Sequence, residues 1–142
     1  MLKKIFLASD HGGYRLKELI KDLLLKDNYT MKDLGCFSLD AVDYPDYAKL
    51  LSDKLETDSN AQGILFCGTG IGISMAANRY SHIRAALCTT VEMASKSRKH
   101  NNANVLALGG RIIKDSLAMD IVYEFLNTDF EAGRHSLRVN KI

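Results

Sequence analysis

Residues Gln62–Ala77 read Q-G-I-L-F-C-G-T-G-I-G-I-S-M-A-A, and the fold turns on them. The apolar run Ile64-Leu65-Phe66 lies between Gly63 and a glycine cluster. Such a run reads as a buried strand, with a buried helix the alternative that periodicity leaves open. Gly68, Gly70 and Gly72 then alternate with Thr69 and Ile71. Glycines so spaced allow a tight turn and leave several N–H groups uncovered. Ile73–Tyr80 reads as a helix, with Ser74, Ala76 and Ala77 small enough for close packing. The strand therefore ends at Cys67, a bare loop follows, and a helix N-terminus points at whatever the loop holds. That arrangement favours an anion and a reactive thiolate.

Several chemistries share this outline. A dinucleotide loop of the form G-x-G-x-x-G needs glycine at position 73, where the chain has Ile73, and no P-loop lysine follows. A cysteine phosphatase loop carries arginine six residues after its cysteine, which is again Ile73. An oxyanion-stabilising loop with a cysteine base meets no such conflict. The plain alternative is a tight strand–helix turn beside an inert buried cysteine.

Composition narrows the class. The chain has 142 residues, 46% apolar and 25% charged, which suits a single soluble domain with a sizeable core. A net charge of +2, with the charges interspersed, gives no reason to expect a nucleic-acid partner. Cys36, Cys67 and Cys88 are far apart with no C-x-x-C, and four histidines are scattered. This pattern predicts reduced thiols, a cytoplasmic setting and no zinc site. The opening Met1–Ala8 is too short an apolar run for a signal peptide, and no segment reaches membrane-spanning length.

Outward from the glycine loop, strands and helices alternate. Lys4–Ser9 reads as a strand, and Tyr14–Lys26 as an amphipathic helix through Leu16, Leu19, Ile20, Leu23 and Leu24. Tyr29–Leu34 is a weaker strand. Residues 35–45 form a loop holding the single proline, Pro45, and Asp46–Leu55 resumes helical spacing. Arg84–Cys88 is a strand, Val91–His100 a helix, Asn104–Leu108 a strand and Ile112–Leu126 a helix. Asn127–Ile142 is a polar, basic tail. The alternation predicts a Rossmann-like three-layer α/β/α sandwich around a five-stranded parallel sheet.

Ligands of such sheets bind beyond the carboxyl ends of the strands. Asp10-His11, Cys67–Gly72 and Gly109–Arg111 should therefore share one edge. His100-Asn101 precedes a strand and should lie at the opposite edge, so a catalytic His100 would come from a second chain. Each candidate has a plainer role. Asp10 can cap a helix, His100 can meet a helix C-terminus, and Arg134 and Arg138 can belong to a solvated tail. Four apart, those two arginines share a helical face and, with Arg111, suit a phosphate dianion. Cys36 and Cys88 read as structural.

Taken together, S-D-H-G-G at 9–13, D-Y-P at 43–45, C-G-T-G-I-G-I-S at 67–74, A-A-N-R at 76–79, H-N-N-A-N-V-L-A-L-G-G-R at 100–111 and G-R-H-S-L-R-V at 133–139 resemble the type B ribose-5-phosphate isomerases. These belong to a wider family that includes galactose-6-phosphate isomerase subunits. The resemblance spans essentially the whole chain. It implies a homodimer with shared active sites, its pairing into a tetramer left open. It also implies interconversion of D-ribose 5-phosphate and D-ribulose 5-phosphate in the non-oxidative pentose phosphate pathway, with no metal or organic cofactor. It implies Cys67 as the base that moves a proton between C2 and C1, and His100 as the ring-opening residue. Within the loop, the Thr69 hydroxyl can hydrogen-bond a substrate oxygen and pass a proton. Asp10, His11, Gly68, Gly70, Ile71, Gly72, Asn101, Arg111, Arg134 and Arg138 fall at substrate-binding positions. One branch of the family places a glutamate base where this chain has Ile73, so the chain resembles the cysteine branch. Ala132, where a second glycine is commoner, is a mild departure. A six-carbon sugar phosphate as substrate, or a non-enzymatic flavodoxin-like binding module, are the rival readings.

Overall fold

The computed structural model describes residues 3–142. Five strands, β1 (Ile5–Ser9), β2 (Met31–Asp33), β3 (Gln62–Cys67), β4 (Ala85–Leu87) and β5 (Val105–Gly109), form one sheet in the order β2-β1-β3-β5-β4, with every pairing parallel. Six helices accompany them: α1 (Tyr14–Lys26), α2 (Tyr44–Thr57), α3 (Ile71–Ala77), α4 (Val91–Lys99), α5 (Asp115–Leu126) and α6 (Arg134–Val139). The expected α/β/α sandwich is the observed architecture.

Strand periodicity sorts the core into two layers. Ile5, Leu7, Ile64, Phe66, Leu106 and Leu108 point to one face and pack with Leu16, Ile20 and Leu24 of α1, Ala94 of α4 and Ile121, Val122 and Phe125 of α5. Phe6, Ala8, Leu65, Cys67, Val105 and Ala107 point to the other, against Ala48, Leu51 and Leu55 of α2 and Ile73 and Ala77 of α3. Both faces are covered, as a parallel sheet requires. The central strands β1, β3 and β5 are buried throughout, and the edge strands are only three residues long. Leu16, Ile20 and Leu24 recur every four residues and are buried. Each such side chain is worth about 1.5–3 kcal/mol on transfer from water.

Element boundaries shift where local chemistry outweighs periodicity. Helix α2 starts at Tyr44, two residues before the expected Asp46, because Pro45 fits a first helical turn that needs no N–H from it. Helix α3 occupies Ile71–Ala77 rather than 73–80. It begins directly after Gly70. It ends at Asn78, whose side chain donates to the Ala85 carbonyl at 2.9 Å and accepts from the Ala85 N–H at 2.7 Å. Helix α5 starts at Asp115, since the N–H groups of Ile112 and Ile113 turn back to the Gly109 carbonyl. Within the tail, residues 134–139 fold into the short helix α6.

An ionic cluster braces β2 against α1. The ammonium of Lys17, wholly buried, donates to Asp33 at 2.7 Å and Glu18 at 2.8 Å, and Lys21 reaches Asp33 at 3.2 Å. The other Asp33 oxygen accepts the Gly35 N–H at 2.9 Å, which anchors the start of the 35–43 loop.

Candidate active site

The chain turns outward in both directions from the pair β1 and β3, so their carboxyl ends open a crevice between them. Cys67 ends β3 there. It is buried, with 5% of its surface exposed, and its sulfur accepts the Gly70 N–H at 3.1 Å. Gly70 takes φ +78°, a left-handed turn that swings its amide back onto the sulfur. A side chain there would strike Leu87 and the backbone of Leu108 and Gly109. Thr69 is exposed, and its Oγ1 accepts the Ile71 N–H at 3.2 Å, which leaves its O–H free to donate.

The neighbouring strand ends close around this loop. Asp10 is buried after β1; its N–H donates to the Phe66 carbonyl at 3.2 Å and its carboxylate accepts the Gly13 N–H at 3.0 Å. The Asp10 carboxylate thus braces the turn that leads into α1, which itself starts after Gly13 without a side-chain cap. His11 Nδ1 accepts the Val42 N–H at 3.2 Å. That bond assigns the ring proton to Nε2 in the neutral imidazole, leaving Nε2 as a donor. An open groove of about 470 Å³ lies beside Val42, lined by Asp43, Asp46 and Tyr47 among others. After β5, the Gly110 N–H donates to the Cys67 carbonyl at 2.8 Å and the Arg111 N–H to the Gly68 carbonyl at 3.0 Å. The Arg111 guanidinium lies over the glycines: atoms added at Gly12 and Gly68 would stand 3.4 and 3.5 Å from it. Asp10, His11, the 67–72 loop and Arg111 therefore share one edge, as the strand-end rule predicts.

The remaining candidates gather at the other edge. His100 caps the C-terminus of α4, and Asn101 follows it into a groove of about 330 Å³ shared with Asn78, Arg84 and Ala86. Five residues of β5 separate the two edges, roughly 16 Å at about 3.3 Å per residue. The tail is tied there by a Glu131 N–H bond to the Lys99 carbonyl at 3.1 Å. Helix α6 brings Arg134 and Arg138 to this end, and its His135 ring stacks on His100 at 4.3 Å and 14°. Lost hydration, then the positive charge of His135 and Lys96, hold the His100 imidazole below the ordinary histidine range.

Two contacts escaped the motif reading. Tyr44 rests on the glycine loop, its ring 2.7 Å from where a Gly72 side chain would begin. His135 packs on His100 although the tail carries no periodic signal that would place it there. Proximity to Arg134 was the only hint.

A family profile described as ribose/galactose isomerase matches residues 5–142. The chain is 50% identical to a ribose 5-phosphate isomerase from Thermotoga maritima whose crystal structure superposes with a TM-score of 0.96, covering 98% of this chain and 96% of that one. A ribose-5-phosphate isomerase B from Mycoplasma genitalium, solved with bound ribulose-5-phosphate, is 45% identical with a TM-score of 0.95, covering 99% and 94% of the two chains. The ribose-5-phosphate isomerase B of Escherichia coli is 41% identical over 141 residues, 99% of this chain and 95% of that protein. With its sequence and fold matched over nearly its whole length, this chain belongs to the ribose/galactose isomerase family and is an isomerase.

Proposed function

We propose that the chain interconverts D-ribose 5-phosphate and D-ribulose 5-phosphate through an enediolate, with Cys67 as the base. The observation that carries the reading is the Gly70 amide 3.1 Å from the Cys67 sulfur, at the floor of a glycine loop beneath Arg111. That bond holds the sulfur in place beside the rest of the loop. As thiolate, Cys67 removes the proton alpha to the carbonyl and returns it to the neighbouring carbon. The negative charge that builds on the carbonyl oxygen meets the amides of the 68–72 loop that are not committed to Cys67 and Thr69. One such donor is worth roughly 3–4 kcal/mol of barrier. The Thr69 hydroxyl donates to a substrate oxygen, and Asp10 and the Nε2–H of His11 hold sugar hydroxyls.

The two-edge layout supports a homodimer in which each site is completed by the other chain. His100 and Asn101, with Arg134 and Arg138, serve the site of a second copy: the imidazole opens the furanose and the guanidiniums hold the phosphate. Phosphate binding then orients the sugar and does no chemistry. Ile71 and Met75, one turn apart on α3 and 47% and 66% exposed, offer an apolar surface for that copy. The chain acts as one domain whose tail reaches the second copy, in the non-oxidative pentose phosphate pathway. Three buried free thiols suit the reducing cytoplasm. Among the described residues no helix is long and apolar enough to cross a membrane.

The test is ketose formation from five- and six-carbon aldose phosphates by the wild type and by Cys67→Ser. The expected result is a five-carbon preference and loss of nearly all activity in the variant. Near-normal turnover in Cys67→Ser refutes the base, and a six-carbon preference refutes the substrate.

A further inference from the structure

We propose that His100, Glu131 and His135 form a transition-metal site, and that a bound Zn²⁺ or Cu²⁺ ion silences the enzyme by capturing the ring-opening histidine. The silencing rests on the His100 role proposed above. The site itself stands on geometry.

Three separate segments supply the ligands. His100 caps α4, Glu131 lies on the strap after α5, and His135 sits in the first turn of α6. The strap is held in register by the Glu131 N–H on the Lys99 carbonyl. Ala132 at φ +55° and Gly133 at φ +57° then turn the chain back, and the His135 N–H closes on the Ala132 carbonyl at 3.1 Å. One ligand atom from each of the three residues lies within 4.8 Å of the other two. His135 Nε2 and Glu131 Oε2 are already 3.6 Å apart. Two ligands at about 2.1 Å on a tetrahedral ion stand roughly 3.4 Å apart, so this pair needs almost no movement. The stacked His100 ring must rotate to bring a nitrogen into line. It sits at a helix end, partly exposed, where rotation is cheap.

Two imidazoles and a carboxylate, with a fourth position open to water, are a donor set that zinc accepts. Imidazole ligands favour copper, nickel and zinc over magnesium and calcium. Only neutral imidazole ligates, so binding should weaken as the pH falls. Lys96 and Arg134 oppose a cation here, while Glu131 favours one. The affinity therefore falls below that of a closed structural zinc site. Once metal-bound, the His100 lone pair that moves the ring-opening proton is committed.

The test titrates the metal-free full chain with Co²⁺, read by visible absorption, and with Zn²⁺, read by calorimetry. One ion per chain is expected, without a sulfur-to-metal charge-transfer band, because the three ligands are two imidazoles and a carboxylate. Glu131→Gln and His135→Gln should each weaken binding roughly tenfold or more, since even outer-shell partners of metal ligands are worth 10–100-fold. Zn²⁺ should inhibit furanose isomerisation, a chelator should restore it, and Glu131→Gln should raise the inhibiting concentration by the factor seen in binding. Titrations that neither substitution changes, or a thiolate band, overturn the site. Binding without inhibition in an active enzyme overturns the silencing. A chain with no isomerase activity overturns the proposed function, while the Co²⁺ titration still decides the site.

Discussion

Gly70→Ala separates the role of the glycine loop in folding from its role in chemistry. Alanine at φ +78° carries left-handed strain of about 1–2 kcal/mol. Its methyl carbon would stand 2.5 Å from Leu87 Cδ1, 3.0 Å from the Leu108 carbonyl carbon and 3.1 Å from the Gly109 nitrogen. Leu87 can yield, but the Leu108–Gly109 backbone belongs to β5 and cannot move without the sheet. Overpacking of this kind adds about 1–3 kcal/mol. For a chain of this size the sum lowers the melting temperature by roughly 10 °C. The loop relieves the clash by moving away from β5, which takes the Gly70 N–H off the Cys67 sulfur. Turnover should fall on the order of 10²–10³-fold, the usual loss for one preorganised donor. Gly68→Ala is the control. Its methyl would meet only Arg111, at 3.5 Å, an ordinary contact. Melting should stay close to wild type, while activity falls because the methyl occupies space between Arg111 and the loop where substrate binds. Calorimetric melting and a coupled ketose assay on both variants are sufficient. A Gly70→Ala protein that melts within about 2 °C of wild type and turns over normally would refute the account.

His100→Asn should lose about 10²-fold or more on ribose 5-phosphate, the contribution typical of a positioned acid or base. A four-carbon aldose 4-phosphate, whose ring-closing hydroxyl is blocked, should lose much less, and equal losses would exclude ring opening. Asp33 is held below the ordinary carboxylate range: burial pushes it up, but hydrogen bonds from Lys17, the Gly35 N–H and Lys21 outweigh that. Because the folded value lies below the unfolded one, its stabilisation is present above about pH 4 and is lost as pH falls through the folded value. Asp33→Asn should cost on the order of 3 kcal/mol at pH 7 by leaving the buried Lys17 charge poorly paired. Urea melts should show that gap shrinking by pH 3, and an unchanged gap refutes the pairing. Burial pushes the Cys88 thiol up to about 11, so iodoacetamide at pH 7.5 should alkylate Cys67 well before Cys88. Peptide masses check this, and comparable labelling of Cys88 would refute it.

The sheet was legible because its determinants are local and periodic. Ile5–Ser9 and Ile64–Phe66 are apolar runs cut by glycines, and Leu16, Ile20 and Leu24 recur at one helical spacing. Boundaries set by a single bond were not legible. The Asn78 side chain that stops α3 bonds to Ala85, and nothing in A-A-N-R predicts that partner.

By itself, then, the sequence determined the strand–helix alternation and the edge at which Asp10, His11, Cys67 and Arg111 meet. Each of these residues ends a strand or follows one within two positions, and all the strands run the same way. Tertiary structure alone decided what each group touches there: the Gly70 amide on the sulfur, the Val42 amide that sets the His11 tautomer, and Tyr44 on Gly72. It also decided that the tail folds back to stack His135 on His100. Those contacts join residues up to dozens of positions apart, and their geometry comes from how loops close over a finished sheet, for which no periodic pattern exists.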